Sequence, residues 1–165
     1  MYGHIDPQWN IQDYINLKYN RDTVSHEYLT NFLNAGHSRD QMCLYNYFEP
    51  NIMPASVDYI KNKFNFLKNL TAAVNLVLPG QYMPVHQDLY LKWKTVHNIT
   101  DIKKIMRVIV MLENNEDGQF LQIEKTIYNN WQAGDWYSWI GETKHAVYNF
   151  STKNRYAIQL TGSIL

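Results

Sequence analysis

From residue 71 to the end, the chain is written in short apolar runs that close on turn signals: "AAVNLVLPG", "MRVIVMLENNEDGQFLQIE", "TIYNNWQAGDWYSWI", "KHAVYNF" and "RYAIQLTGSIL". Val, Ile, Tyr and Trp fill the runs, and Pro-Gly, Asn-Asn, Asp-Gly and Gly-Asp pairs separate them, as expected where a chain reverses between strands. Antiparallel strands without crossover helices bury their apolar faces against a second sheet or by closing on themselves. The pattern therefore predicts a barrel or sandwich.

Two helices are expected ahead of it. "DTVSHEYLTNFLNA" (22–35) sets Val24, Tyr28, Leu29 and Phe32 at helical spacing, with Asp22 to cap and Gly36 to stop. "SVDYIKNKFNFLKNL" (56–70) aligns Val57, Ile60, Phe64, Leu67 and Leu70 behind a Ser56 cap. Each has one face to bury, and together they can cover one outer face of the strands.

Charge excludes some partners. Lys plus Arg and Asp plus Glu balance at 15 each, without a long run of one sign, so the attraction behind non-specific nucleic-acid binding has no source. The most basic stretch, "DIKKIMR" (101–107), reads as the solvated face of a strand. A single cysteine, Cys43, cannot form an internal disulfide, and the first residues lack the apolar core of a secretion signal, which predicts a reducing, cytoplasmic setting. No apolar run approaches the roughly 20 residues that span a bilayer, so no membrane partner is expected.

In the last strand, parity puts Arg155, Ala157, Gln159 and Thr161 on one face and Tyr156, Ile158 and Leu160 on the other. If the apolar set packs, Arg155 points into a polar interior and needs an anion. Within "PVHQDLYLKW", His86 and Asp88 stand at i and i+2, so on extended backbone both leave the same face and can chelate one ion. His145 suits a third ligand, because it opens a short strand whose expected partner strand carries Arg155 ten positions on. Two imidazoles and a carboxylate leave three adjacent metal positions open, the arrangement of non-haem iron(II) oxygenases. The spacing alone is weak, since "HID" at His4–Asp6 repeats it near the terminus. His97 is expected in a loop, and His26 and His37 in or just after a helix.

Taken together, "NLVLPGQYMPVHQD", "RVIVML" and "WQAGDWYSWIGETKHAVYNFSTKNRYAIQLTG" resemble the 2-oxoglutarate- and Fe(II)-dependent oxygenases, most closely the aspartyl/asparaginyl β-hydroxylase group with its proline hydroxylase-like members. The resemblance spans residues 71–162. It implies a mainly β fold with flanking helices, a double-stranded β-helix or cupin-like jelly roll; with a length too short for two independent domains, this gives one domain over 1–165, with a helical N-terminal segment, 1–70, and a jelly-roll core, 71–165. It implies His86, Asp88 and His145 as ligands of Fe(II), Arg155 as the salt-bridge partner of the distal carboxylate of 2-oxoglutarate, and Asn75 as a second hold on that carboxylate. Arg107 matches an arginine that engages cosubstrate or a substrate carboxylate, or else forms a salt bridge at the rim.

The implied reaction consumes O2 and hydroxylates an amino acid, peptide or protein. Asp88, which some β-hydroxylases replace by glycine, favours hydroxylation over halogenation. "LYLKWKTVHNITDIKK" is longer than the resemblance predicts and suggests a substrate loop. Trp93, Trp131, Trp136, Trp139, Tyr82, Tyr90 and Tyr137 can shape a pocket, although most are expected in the core. Two other readings stand beside this one: a silent jelly roll that binds a metal or small acid, and a cupin-type isomerase or epimerase in which Gln87 would turn inward as an extra ligand.

Overall fold

The computed structural model describes residues 1–23 and 26–164. Its strands are β1 (Tyr2–His4), β2 (Asn20–Thr23), β3 (Cys43–Phe48), β4 (Lys68–Val77), β5 (Gln81–His86), β6 (Ile105–Met111), β7 (Gln119–Ile123), β8 (Thr126–Tyr128), β9 (Asp135–Ile140), β10 (His145–Asn149) and β11 (Arg155–Ser163). The helices are α1 (Gln12–Ile15), α2 (His26–Asn34), α3 (Ser56–Lys63) and α4 (Leu91–His97). The strands form a seven-stranded sheet, β1-β9-β6-β11-β4-β3-β2, and a four-stranded sheet, β5-β10-β7-β8. Each paired neighbour is antiparallel.

From β4 onward the chain passes back and forth between the sheets: β4, β6, β9 and β11 lie in the large one, and β5, β7, β8 and β10 in the small one. This is the double-stranded β-helix, a cupin-like jelly roll. Parity along the large sheet sorts its two faces. Val74, Leu76, Val108, Val110, Tyr156, Ile158 and Leu160 join Tyr14 of α1 and Val57 and Ile60 of α3 in one core outside the sandwich. Ile109, Met111, Tyr137, Trp139 and Ala157 face the other way and meet Leu121 of the small sheet. No helix among the described residues is long and apolar enough to cross a membrane.

Several expectations are corrected. Segment 1–70 is not only helical, because β1 pairs with β9, β3 pairs with β4, and β2 lies outside β3. "CLYNYF" makes a strand because its alternation serves two surfaces: Tyr45 and Tyr47 pack on the outer core while Leu44 and Asn46 line the interior. Asp22 does not cap α2; it lies in β2 and accepts a hydrogen bond from Asn46 Nδ2 at 2.9 Å. Val24 and the Tyr28 side chain, both expected on the α2 stripe, lie outside what is described.

Helix α3 ends at Lys63 rather than continuing to residue 70, and Phe64 and Leu67 stay buried in the same core from a turn that leads into β4. Its expected cap, Ser56, instead shares a 2.6 Å hydrogen bond with the Tyr14 hydroxyl. Residues 89–106 are not simply a loop. They contain α4 and a 3₁₀ turn, Ile102–Lys104, so Lys103 and Lys104 are exposed on that turn while Ile105–Met111 is buried throughout. His97 ends α4, and His4, expected in a frayed terminus, sits in β1 with Nδ1 2.8 Å from Asp135.

Candidate metal centre and its cavity

In the register of β10 on β5, His145 stands directly opposite His86. Partners across an antiparallel pair project to the same face about 5 Å apart, and the two imidazole centroids are 4.3 Å apart. Asp88, just beyond the end of β5, turns its carboxylate between them: Oδ1 is 3.8 Å from His86 Nε2, and Oδ2 is 3.5 Å from His145 Nε2. One ligand atom from each residue lies within 4.8 Å of the others, and among the described residues this is the only such group of three.

The tautomers follow from the neighbours. His86 Nδ1 is 2.8 Å from the Pro84 carbonyl, and His145 Nδ1 is 2.9 Å from the Thr143 carbonyl. A carbonyl only accepts, so each Nδ1 carries the proton and each Nε2 presents its lone pair to the shared point, the orientation typical of metal-bound histidine. Burial pushes the His145 pKa down to about 4, so this ring is neutral at physiological pH. Burial works to raise the Asp88 pKa, but Arg107 and the two imidazoles outweigh it and hold the carboxyl below the usual aspartate range. Two neutral nitrogens and one carboxylate oxygen, without thiolate, suit a divalent ion of the Fe(II) or Mn(II) kind. Cys43 lies apart, its thiol donating to the Asp40 carbonyl.

The opposing sheet supplies cations. Arg107, on β6, donates from Nη2 to Asp88 Oδ2 at 2.7 Å, and its guanidinium lies 5.0 Å from the Tyr90 ring centroid. Burial opposes its charge, but Asp88 and Tyr90 more than offset this and raise its pKa. It is buried, so the salt bridge that it forms with Asp88 lies inside the cavity and not at the rim.

Arg155 is the counterpart without a partner. It opens β11, is 4% exposed and, among the described residues, forms no salt bridge, although Glu113 and Glu116 share a neighbouring surface pocket with it; Nη2 lies 3.5 Å from Met111 Sδ, the guanidinium 5.2 Å from the Trp131 ring centroid, and Nε makes no hydrogen bond. Burial alone pushes its pKa down to about 10. Its strand does not pair with β10, as the sequence suggested; it lies in the facing sheet, so guanidinium and imidazoles meet across the sandwich.

A cavity of about 230 Å³ is lined by His86, Asp88 and His145 on one side and by Asn75, Arg107 and Arg155 on the other. All six predicted site residues are thus brought together. Asn75 donates to Asn46 Oδ1 at 2.5 Å, and Asn46 in turn donates to Asp22, a chain of three side chains across β4, β3 and β2 that fixes the Asn75 amide. Asp22 and Asn46 carried no sequence signal as site residues, since nothing local placed them on strands of this sheet. Of the suggested pocket aromatics, Trp139 lines this cavity while Tyr137 and Trp131 pack in the inner core; Tyr82 is buried beneath α2, and Trp136 packs on the outer core. Gln87 donates to the Glu142 carbonyl, turned away from the histidines.

No family model matches the chain, and no curated protein matches it in sequence. Among solved structures, one described as a candidate sugar phosphate isomerase of Acidithiobacillus ferrooxidans aligns with a TM-score of 0.52 at 11% identity, covering 94% of this chain and 74% of that one. Weaker likenesses include KdgF from a Halomonas species (TM-score 0.46, 10% identity, 80% of this chain and 91% of that one) and a cupin 2 conserved barrel domain protein from Salinispora arenicola (TM-score 0.44, 10% identity, 73% and 76%). At these identities, likeness concerns fold alone.

Proposed function

We propose that the protein is a 2-oxoglutarate- and Fe(II)-dependent dioxygenase that hydroxylates an amino acid, free or within a peptide or protein. The observation that carries this reading is the buried Arg155, without a salt-bridge partner among the described residues, in the same cavity as the His86, Asp88 and His145 cluster. A metal site by itself fits many chemistries. A metal site facing a buried cation without an anion calls for a ligand with an oxygen donor at one end and a carboxylate at the other.

Each side chain then has a task. His86 and His145 hold the ion through Nε2, aimed by the Pro84 and Thr143 carbonyls. Asp88 gives one oxygen to the ion while Arg107 holds the other. Arg155 receives the distal carboxylate in the fork geometry that suits guanidinium, and Asn75 is placed to assist. When bound, Fe(II) and 2-oxoglutarate supply activation of O2, with decarboxylation of the oxoacid to succinate and CO2. Ile109, Leu121 and Trp139 give the cavity an apolar wall.

The isomerase reading loses support because Gln87, its extra ligand, is engaged elsewhere. The silent jelly roll gives no reason to keep Arg155 buried without a partner, at a cost to the fold. The test is succinate formation from purified protein with Fe(II), ascorbate and 2-oxoglutarate under air, with and without a panel of amino acids and peptides. Succinate is expected, stimulated by one class of substrate and absent in His86→Ala and His145→Ala. Metal-loaded wild type that makes no succinate under any condition refutes the proposal.

A further inference from the structure

A second cavity, about 600 Å³, adjoins the first and shares Asp22, Asp88, Arg107 and Gln159 with it. Its roof is α4 with the preceding Tyr90, the stretch of chain in excess of the expected length. No residue of α4 is buried, yet the helix is held at defined points. It begins after Tyr90 at φ 51° and ends at Asn98, also at φ 51°. A bulky aromatic adopts this left-handed conformation only when its surroundings impose it, and such residues cluster where a side chain must be placed. Here it places the Tyr90 ring beneath the Arg107 guanidinium.

Three donors around this cavity lack acceptors among the described residues. Tyr90 Oη, Trp93 Nε1 and Arg107 Nε are each closed off from solvent and, among the described residues, make no hydrogen bond of good geometry; the Tyr90 hydroxyl stands near Asp88, Arg107 and the Trp139 indole. Buried donors without partners are rare, and three around one cavity point to a ligand that supplies the acceptor. The mouth has the opposite character: Phe48, Leu91 and Val96 line it and remain 42%, 65% and 67% exposed. Glu49, the acid at that edge, is already engaged by Lys61 at 2.8 Å and by the Ala72 amide at 2.9 Å.

We propose that this groove is the substrate site, and that it selects a molecule whose carboxylate or amide oxygen accepts from Tyr90 and Trp93 while an aliphatic part lies on Phe48, Leu91 and Val96. Tyr90 and Trp93 are then specificity residues, and the groove delivers the substrate to the edge of Asp88. The assignment rests on the hydroxylase reading only in calling the occupant a substrate.

The test is a binding titration followed by NMR on the Zn(II)-loaded, ¹⁵N-labelled full chain, without 2-oxoglutarate. The Trp93 indole N–H is identified as the resonance missing in Trp93→Phe. Three probes share one aliphatic tail: 4-methylpentanoate, 4-methylpentanamide and 4-methylpentylammonium. A saturable shift of the Trp93 resonance is expected with the acid, the amide or both, and none with the ammonium; the acid alone identifies a free carboxylate and the amide alone a peptide carbonyl. Tyr90→Phe should weaken that binding about tenfold. No saturable shift with either acyl probe, or an equal shift with the ammonium, overturns the proposal. A protein that makes no succinate yet gives the shift would refute the hydroxylase reading and leave this site standing.

Discussion

Arg155→Met separates the two roles that a buried, unpaired cation can have. In the ligand-free protein Arg155 sits among Met111, Trp131 and Ala157, with its pKa pushed down by burial to about 10. At about 1.4 kcal/mol per pH unit, keeping that charge inside costs the empty fold about 3 kcal/mol. Methionine has a similar length, fills the space beside Trp131 and carries no charge, and replacing a buried charge by a well-packed apolar group is often stabilising by about 1–4 kcal/mol. The variant should therefore be more stable than wild type when empty, with Tm higher by about 2–16 °C for a chain of this size.

Ligand reverses the order of benefit. On anaerobic Fe(II)-loaded protein, 2-oxoglutarate at a hundred times its Kd should stabilise wild type by about 2.7 kcal/mol. It should do little for Arg155→Met, which retains the metal ligands but not the carboxylate anchor. Thermal unfolding by circular dichroism, with and without 2-oxoglutarate, measures both effects. The reasoning is refuted if the empty variant is clearly less stable than wild type, because Arg155 then has a stabilising partner. It is equally refuted if 2-oxoglutarate stabilises both proteins alike.

Three further outcomes are expected. Arg107→Met removes the group holding Asp88 Oδ2, so Fe(II) affinity measured by chelator competition should fall about 10- to 100-fold, while Arg107→Lys should recover some of the loss. The metal-free protein should lose stability as pH falls from about 6.5 toward 4, because the unfolded chain takes up a proton on His145 while the folded ring, with its pKa near 4, does not; denaturant midpoints that stay flat across this window would contradict the assigned burial. Gly134→Ala should destabilise by about 2 kcal/mol or more, because Gly134 has φ +93° and an added Cβ would lie 2.0 Å from the Ile5 carbonyl oxygen, and a midpoint unchanged in urea would mean that β1 is not held at this turn.

Much of the site was legible because β11 sorts cleanly by parity. Its apolar residues face the outer core, which leaves Arg155 and Gln159 to face inward. His86 and Asp88 were legible from spacing on a strand end. His145 was less legible from local pattern: its place at the opening of a short strand made it a candidate, but nothing in "KHAVYNF" says that it lies opposite a histidine 59 positions earlier, which depends on the register of β10 on β5. Arg107 was named only through the resemblance, because "IMRVIVM" is buried on both faces and alternation carries no signal about which side is interior. The error at α3 has the same root. Phe64 and Leu67 keep the burial that a longer helix would have given them, but from a turn, because an apolar stripe specifies what is buried and not the backbone that buries it.

The division of the site between two sheets constrains what it can bind. The candidate metal ligands project from the small sheet and its β5 end, and both arginines project from the large one. Facing sheets in a sandwich pack about 10 Å apart, so a ligand that satisfies both walls must span the interior with an oxygen donor at each end. A two-carbon diacid held on the metal leaves Arg155 without an anion, and a simple monoacid leaves either the cation or the metal unserved. Arg107 cannot take over from Arg155, because its Nη2 is committed to Asp88 and its remaining free edge faces the groove under α4. On the proposed reading the two arginines therefore have separate tasks: Arg155 would receive the distal carboxylate of a diacid in the first cavity, and Arg107 stands where the roofed groove adjoins the candidate metal site.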